Sequence, residues 1–186
     1  RSNGSATPAP KPTDPPPVPP APKQYSTTFN YAWHNSYNSD GSNYKSSSLD
    51  SKAVFGRSIY YTTGGAKRAM IGFSGNIAGT LSGATVTKVE VYVYTEHWYA
   101  GTGGTVEIGV HNASSAPGTA SSVTDNVKRQ VMKKPEGRWI TLPTDAKWKA
   151  GTIKGILLRS VGNTTATNGY GYASPSKTKL RITYKK

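Results

Sequence analysis

The sequence predicts an all-β protein, an antiparallel jelly-roll-like β-sandwich preceded by an extended Pro-rich linker. Three observations support this prediction. Short segments alternate apolar and polar residues, turns rich in glycine, asparagine and serine separate them, and no long stretch has the 3.6-residue apolar period of a helix. The prolines of residues 6–23 exclude that stretch from any sheet or helix, because proline fixes φ and lacks a backbone N–H.

Composition divides the chain into two parts. Residues 1–23 are predicted to be a spacer, since "ATPAPKPTDPPPVPPAPK" favours polyproline II at ~3.1 Å per residue. Residues 24–186 are predicted to form the single sandwich domain. A stiff spacer implies something upstream from which this domain is held away. Because the chain starts without a methionine, we expect it to be part of a longer polypeptide.

The first part of the domain contains three predicted strands. The segment "YSTTFNYAWHNSY" (25–37) alternates, so it predicts a strand with one face made of Tyr25, Thr27, Phe29, Tyr31, Trp33 and Asn35. Residues 40–48 are a turn and loop, and residues 54–62 suggest a second strand. A glycine turn followed by a short apolar strand occupies residues 63–75, and residues 77–84 form a loop with one helical turn.

Residues 85–99, "TVTKVEVYVYTEHWY", form the clearest strand. Val89, Val91, Val93 and Thr95 share one face, which must be the core and which His97 and Tyr99 continue. The other face is the outer surface, and it carries Glu90, Tyr92, Tyr94, Glu96 and Trp98. The glycine turn "GTGG" then leads into residues 105–114, which predicts a hairpin.

The remaining segments are shorter. They are a polar connection (116–137) with a central stretch at 127–132, a strand (138–143), a helical turn (144–151), an apolar strand (153–161), a loop (162–169), and two closing segments (170–178 and 179–186).

Composition excludes several classes of function. The chain has no cysteine, so it has no disulfide, thiol nucleophile or cysteine-bound zinc. No run of ~18 apolar residues occurs, which argues against membrane insertion. The formal net charge of +14 attracts polyanions such as nucleic acid, anionic lipid, wall polymer or an acidic protein lattice. The lysines are scattered and form no basic stripe, which disfavours nucleic acid.

The carboxylates do not favour an enzyme. Glycosidase chemistry needs two that face each other across a cleft, and the chain has nine Asp and Glu residues in all. A pair of Glu107 with Glu90 or Glu96 across the predicted hairpin is conceivable, but ion pairing of each with a lysine is favoured. We therefore predict no catalytic residue and no cofactor.

The three histidines do not predict a metal site either. His97 and His111 could approach each other across the predicted hairpin, but exposed hairpin histidines are more often polar cross-strand neighbours. His34 lies far from both in the sequence. Calcium binding through backbone carbonyls stays open.

Aromatic residues supply the candidate binding surface, with 12 Tyr and 4 Trp in the chain. Rings along a strand stack on sugar C–H faces or fill protein interfaces, although cross-strand ring pairs also simply stabilise a sheet. The segment "NGYGYAS" (168–174) is a second tyrosine cluster that we expect beside the first. The candidate ligand-binding residues are Tyr92, Tyr94, Glu96, His97, Trp98, Tyr99, Tyr170 and Tyr172.

The order of segments resembles a known fold family. The strings "KRAMIGFSG", "LSGATVTKVEVYVYTEHWY", "RWITLPTDAKWKAGTIKGILLRS" and "KLRITY" are similar to the entry, middle and closing segments of DNRLRE-type jelly rolls. More narrowly, "SIYYTTGGAKRAMIGF", "KPEGRWI" and "NGYGYAS" resemble C-terminal domains of minor tail and fibre proteins in bacteriophages of actinobacteria.

This resemblance implies a place on a virion. The expected molecule is an extracellular, virion-surface domain of a tail or fibre protein, displayed on a longer and often trimeric parent among other virion proteins. Its expected role is non-catalytic attachment to a host cell-surface glycan or anionic wall polymer. The alternatives are a structural or decoration module on the capsid or tail without a receptor, and a polysaccharide hydrolase.

Overall fold

A computed structural model of the chain describes Arg1 and residues 16–58, 65–120, 128–161 and 169–186. The predicted all-β class is confirmed, because ten strands, two short α-helices and one 3-10 helix (Pro175–Lys177) form within these ranges. The elements are β1 (Gln24–Tyr37), β2 (Ala53–Phe55), β3 (Arg68–Phe73), α1 (Ile77–Leu81), β4 (Thr85–Trp98), β5 (Gly104–His111), β6 (Lys128–Met132), β7 (Glu136–Leu142), α2 (Ala146–Ala150), β8 (Gly155–Ser160), β9 (Gly171–Ala173) and β10 (Lys179–Lys185).

The strands form two antiparallel sheets that share β1. Residues 24–30 of β1 pair with β10, and residues 31–37 pair with β3. In the first sheet, β4 has β7 on one side and β10 and β9 on the other, and β2 pairs with β9. The second sheet has the order β1-β3-β8-β5-β6. The chain crosses between the sheets repeatedly, as in a jelly roll.

The core lies between the two sheets, with the β4 valines inside it as predicted. Val89, Val91 and Val93 are fully buried, in one cluster with Ile108 of β5 and Ile156 of β8. Burial of each such side chain stabilises the fold by roughly 1.5–3 kcal/mol. This arrangement puts the tyrosines of β4 on the outside of the first sheet.

The predicted hairpin between β4 and β5 does not form. β4 belongs to the first sheet, whereas β5 pairs with β8 and β6 in the second. Each strand has one strongly apolar side, and two such sides cover each other by facing across the core rather than lying side by side. The glycine turn after β4 therefore carries the chain from one layer to the other.

The single face predicted for residues 25–35 is also wrong beyond Tyr31. The pairing of β1 with β3 shifts register between Tyr31 and Trp33, and such a bulge reverses which side the following residues take. Phe29 consequently lies in the main core, while Trp33 lies over the backbone of Gly72 on the outer side of the second sheet.

Shorter elements agree with the sequence in part. The helical turns predicted within residues 77–84 and 144–151 form as α1 and α2, capped by the side chains of Asn76 and Asp145. β2 is shorter than the strand predicted at 54–62, and residues 59–62 lie outside the described part. The central stretch predicted around 127–132 contains β6, which adds a strand at the edge of the second sheet.

The predicted spacer falls mostly outside the described residues. Its last part, residues 16–23, is exposed and has no regular structure before β1 begins. Lys23 forms two backbone hydrogen bonds with Lys186, of 2.7 and 3.0 Å, so this segment enters beside the end of β10. No helix in the described ranges is both long and apolar enough to cross a membrane.

Candidate functional site

The outer side of the first sheet carries aligned rows of aromatic and charged side chains. Tyr92 of β4 lies opposite Trp139 of β7 on one side and Lys179 of β10 on the other. One row further, Glu90 lies opposite Arg181. These residues alternate with buried neighbours, so β4, β7 and β10 all turn their polar and aromatic residues outward here.

A shallow groove runs along this face. Its volume is about 530 Å³, and we call it the aromatic groove; it is lined by Tyr92, Tyr94, Trp139, Ser176, Lys177 and Lys179. The ring centroids of Tyr92 and Trp139 are 5.4 Å apart and tilted by 60°. The Tyr92 hydroxyl lies so close above Gly137 that a Cβ there would be 1.9 Å from the oxygen. The missing side chain of Gly137 therefore leaves room for the Tyr92 ring to lean over β7.

Cations lie on the rings at this surface. Lys177 Nζ is 3.8 Å from the ring centroid of Tyr94, and the Arg181 guanidinium carbon is 4.0 Å from that of Trp139. A cation over a ring face is attracted by the negative face of the π system. These contacts hold the long side chains flat against the sheet.

Glu90 is the carboxylate of this surface and is neutralised from two sides. Its oxygens accept from Lys88 Nζ at 2.8 Å and from Arg181 Nε at 3.0 Å. Burial by itself would raise the Glu90 pKa, but the hydrogen bonds from Arg181 and Lys88 outweigh that effect and lower it. Glu90 is therefore ionised at neutral pH and orients Arg181 over Trp139.

Trp98 does not lie on the outer surface, contrary to the prediction. Thr95 pairs with Ala173 and His97 with Tyr172, so two steps along β4 match one step along β9. This bulge at Glu96 reverses the alternation of the strand. The indole of Trp98 consequently points into the core, fully buried, with its ring centroid 5.1 Å from that of Phe55.

The same bulge brings His97 beside the tyrosines of residues 169–174. The sequence predicted that this cluster lies next to the aromatic residues of β4. We call His97, Tyr99, Tyr170 and Tyr172 the tip cluster. His97 stacks on Tyr172 with centroids 5.0 Å apart and meets the edge of Tyr170 at 6.0 Å. Burial, followed by the charge of Lys134, lowers the His97 pKa, so the ring is neutral at pH 7.

The members of the tip cluster differ in exposure. Tyr99 is 42% exposed and Tyr172 is partly exposed, whereas Tyr170 is only 5% exposed and packs with Leu49 and Val54. Tyr170 is thus a supporting residue, contrary to its prediction as a contact residue. Its backbone oxygen accepts from the Tyr99 N–H at 2.8 Å, which fixes where the chain leaves β4.

Glu96 lies on β4 between the aromatic groove and the tip cluster. Lys52 Nζ is 2.6 Å from its carboxylate. Burial favours a higher pKa for Glu96, but hydrogen bonds from Lys52 and Ser174 and the charges of Lys52 and Lys177 lower it. An ionised, ion-paired carboxylate orients its neighbours and is a poor general acid.

Glu107 does not approach Glu90 or Glu96. It lies in β5 of the second sheet, between the buried Val106 and Ile108, where its oxygens accept from Arg129 Nε at 2.9 Å and Arg159 Nε at 2.8 Å. The sequence predicted a lysine partner on the solvent face for this carboxylate, whereas Glu107 is buried and both of its partners are arginines. Glu107 therefore forms no pair with Glu90 or Glu96, because the two sheets hold them in different layers.

The histidines are likewise separated. His97 lies in the first sheet and His111 in the second. His34 bonds through Nδ1 to the Tyr31 hydroxyl at 2.8 Å and through Nε2 to the Asp50 carbonyl at 3.0 Å. Among the described ranges, no three His, Asp or Glu side chains come together as metal ligands would.

A second cleft, of about 280 Å³, lies on the other sheet between Trp33, Asn76, Ser114 and Lys154. Trp33 Nε1 donates to the Ser114 carbonyl at 3.1 Å, and Lys154 Nζ donates to the Ser114 hydroxyl at 2.8 Å. The buried His111 lies against Trp33 with ring centroids 5.2 Å apart. Most polar groups that line this second cleft already form hydrogen bonds within the protein. The aromatic groove is therefore the stronger candidate for binding.

The sequence prediction missed three kinds of residue in the aromatic groove, namely Trp139, Ser176 and two lysines. Trp139 could have been found, since Ile140 and Leu142 are buried and the alternation of β7 places Trp139 outward. Lys177 and Lys179 carry no such signal, because only the pairing of β10 with β4 brings them beside Tyr92 and Tyr94.

Comparison with known proteins adds no assignment. No protein-family model matches the chain, and no curated protein matches it in sequence.

Proposed function

We propose that this protein is a virion-surface tail or fibre domain that attaches to the host cell envelope by binding a glycan or cell-wall polymer, without catalysis. The aromatic groove is the contact surface, and the exposed rings of the tip cluster extend it. The observation that carries this proposal is the alignment of Tyr92, Trp139 and Tyr94 with cations along one open face.

The orientation of the fold supports this role. The proline-rich segment enters at Lys23 beside Lys186, and Lys185 pairs with Thr85 at the first residue of β4. Tyr92 and Tyr94 lie seven and nine residues further along β4, roughly 23–30 Å away at the rise of a strand. The groove and the tip cluster therefore lie well away from the point where the spacer enters, so a target can reach them.

The ion-paired glutamates favour binding over hydrolysis. Glu90, Glu96 and Glu107 each contact at least one cation and do not converge. A hydrolase would shorten wall polymer during incubation, and we expect the polymer length to stay unchanged.

Removal of Trp139 tests the attachment role. We expect Trp139→Ala to weaken binding of the free domain to actinobacterial cells, and to their isolated walls, by at least about tenfold, because aromatic anchors dominate contact energies. Binding is measured by pull-down and by competition with virion adsorption, with melting temperature as the check on folding. The matched control is Tyr25→Ala, which removes an aromatic ring that is 46% exposed at the spacer end. Equal binding by Trp139→Ala and wild type would refute this use of the groove.

The second candidate is a decoration module without a receptor, docked through its positive charge on an acidic capsid or tail lattice. The net charge of +14 favours it. Such a domain would neither bind host cells nor compete with adsorption, so the same experiment separates the two functions.

A further inference from the structure

Cations occupy one face of two of the three rings in the aromatic groove, which leaves less ring surface for stacking on a neutral sugar. Lys177 covers a face of Tyr94 at 3.8 Å, and Arg181 covers a face of Trp139 at 4.0 Å. The second ring of that row, Tyr92, is tilted against Trp139 and its hydroxyl leans over Gly137. A ligand entering the groove therefore meets cationic N–H groups laid across aromatic supports.

The polar groups of this surface are mostly hydrogen-bond donors. Lys88, Lys177, Lys179 and Arg181 outnumber the nearby carboxylates. The two oxygens of Glu90 are taken by Lys88 and Arg181, and Glu96, which the charge of Lys177 also reaches, is paired with Lys52. A neutral sugar needs acceptors as well as donors for its hydroxyls, since each hydroxyl both donates and accepts. The tyrosine hydroxyls and Ser176 remain for that task, whereas the cations require an anionic partner.

Lys179 is the side chain most available to such a partner. It is exposed, lies in register with Tyr92, and has no ion pair or hydrogen bond within the described residues. Lys177 lies on the adjoining 3-10 turn, with its ammonium group over the Tyr94 ring. Both ammonium groups line the same groove, so one extended chain can touch both.

We infer that the groove binds an anionic polymer whose repeating units carry phosphate or carboxylate groups, with Lys177 and Lys179 as the contacts to the anions. Arg181 and Trp139 form the support beneath them, because Glu90 holds the guanidinium over the indole. Charge-assisted hydrogen bonds to oxyanions are short and about twice as strong as neutral ones. This inference rests on the proposed function and names the chemical class of its ligand.

Defined polymers test the inference without host material. The probes are poly(glycerol phosphate), polygalacturonate and neutral dextran, titrated into the intact 186-residue chain by calorimetry at about 0.05 and 0.5 M NaCl. We expect binding to one or both polyanions, weakening of at least tenfold at the higher salt, and no binding to dextran. The two polyanions decide whether phosphate or carboxylate is preferred.

Matched charge variants separate a built site from the general field of a basic protein. Lys177→Gln with Lys179→Gln should weaken polyanion binding by about tenfold or more, whereas Lys147→Gln, at the exposed surface of α2, should change it by less than about twofold. Dextran binding as tight as polyanion binding would overturn the inference. The inference would also be overturned if Lys147→Gln weakened polyanion binding as much, per substituted lysine, as the double variant does.

The outcomes also separate this inference from the proposed function. Wall binding that depends on Trp139 but not on salt or on Lys177 and Lys179 would remove the anionic class and leave attachment standing. Polyanion binding that depends on the two lysines, without any binding to host walls, would support the groove chemistry and remove the attachment role.

Discussion

Trp98→Ala is expected to lower the free energy of unfolding by about 3–5 kcal/mol, the largest effect among the substitutions considered. The Trp98 ring is fully buried, meets Phe55 edge-on at 5.1 Å, and lies against Gly104, where a Cβ would come within 2.6 Å of it. Truncation removes this buried area and leaves a cavity between rigid strands that cannot close.

Two further variants make this prediction specific. Tyr99→Ala, at the next residue, should change the free energy of unfolding by no more than about 0.5 kcal/mol, because the Tyr99 side chain is 42% exposed and its anchoring hydrogen bond comes from the backbone. Trp98→Phe should cost much less than alanine, since the Trp98 Nε1 has no hydrogen-bond partner in the described structure. Urea unfolding of the three variants measures these differences. A small loss for Trp98→Ala together with a large one for Tyr99→Ala would restore the sequence prediction that Trp98 faces outward.

Acidification is expected to destabilise the domain through His111, by on the order of 3 kcal/mol between pH 7 and pH 4. The imidazole is 4% exposed; Nδ1 accepts from the Ala113 N–H at 3.2 Å, and Nε2 donates to the Ile71 carbonyl at 2.9 Å. Burial lowers the His111 pKa to about 4, because the charged imidazolium would be cut off from water, and the hydrogen bond to the Ile71 carbonyl offsets this effect only in part.

The sign of this effect follows from proton binding. The unfolded chain takes up the proton near the ordinary histidine pKa of 6.5, whereas the folded chain resists until about pH 4. Between these values the unfolded state binds more protons, so stability falls as the pH falls through this window and is unaffected above it.

Comparison of wild type with His111→Gln isolates this contribution. Carboxylates also titrate below pH 5, and burial lowers the pKa of His34 and of His97 as well. The glutamine variant should therefore lose less stability than wild type between pH 6.5 and pH 4, whereas His97→Gln should keep most of the wild-type slope. Trp33 fluorescence gives a second measurement, because Trp33 bonds to Ser114 beside the His111 loop. Identical pH slopes for wild type and His111→Gln would disprove the assignment.

Part of the candidate site was accessible from the sequence, and the exceptions have structural causes. The alternation of β4 correctly placed Val89, Val91 and Val93 inside and the intervening tyrosines outside. It failed at Trp98, because a bulge shifts the register by one residue and leaves no mark in the local pattern. It also failed for the predicted hairpin, since a glycine turn can join two strands of one sheet or carry the chain to the other layer.

The sequence by itself determined the class of fold, the inward face of the central strand, and an outer surface rich in tyrosine rings. These properties are local. They follow from the two-residue period of a strand and the hydrophobicity of valine, whichever strands the segment pairs with. The tertiary structure alone decided which cations lie on which rings, that Glu90 and Glu107 belong to opposite sheets, and that Trp98 fills the core. Each of these depends on strand partners distant in the chain, and pairing between distant segments is set by the competition of whole faces for burial rather than by any single stretch of residues.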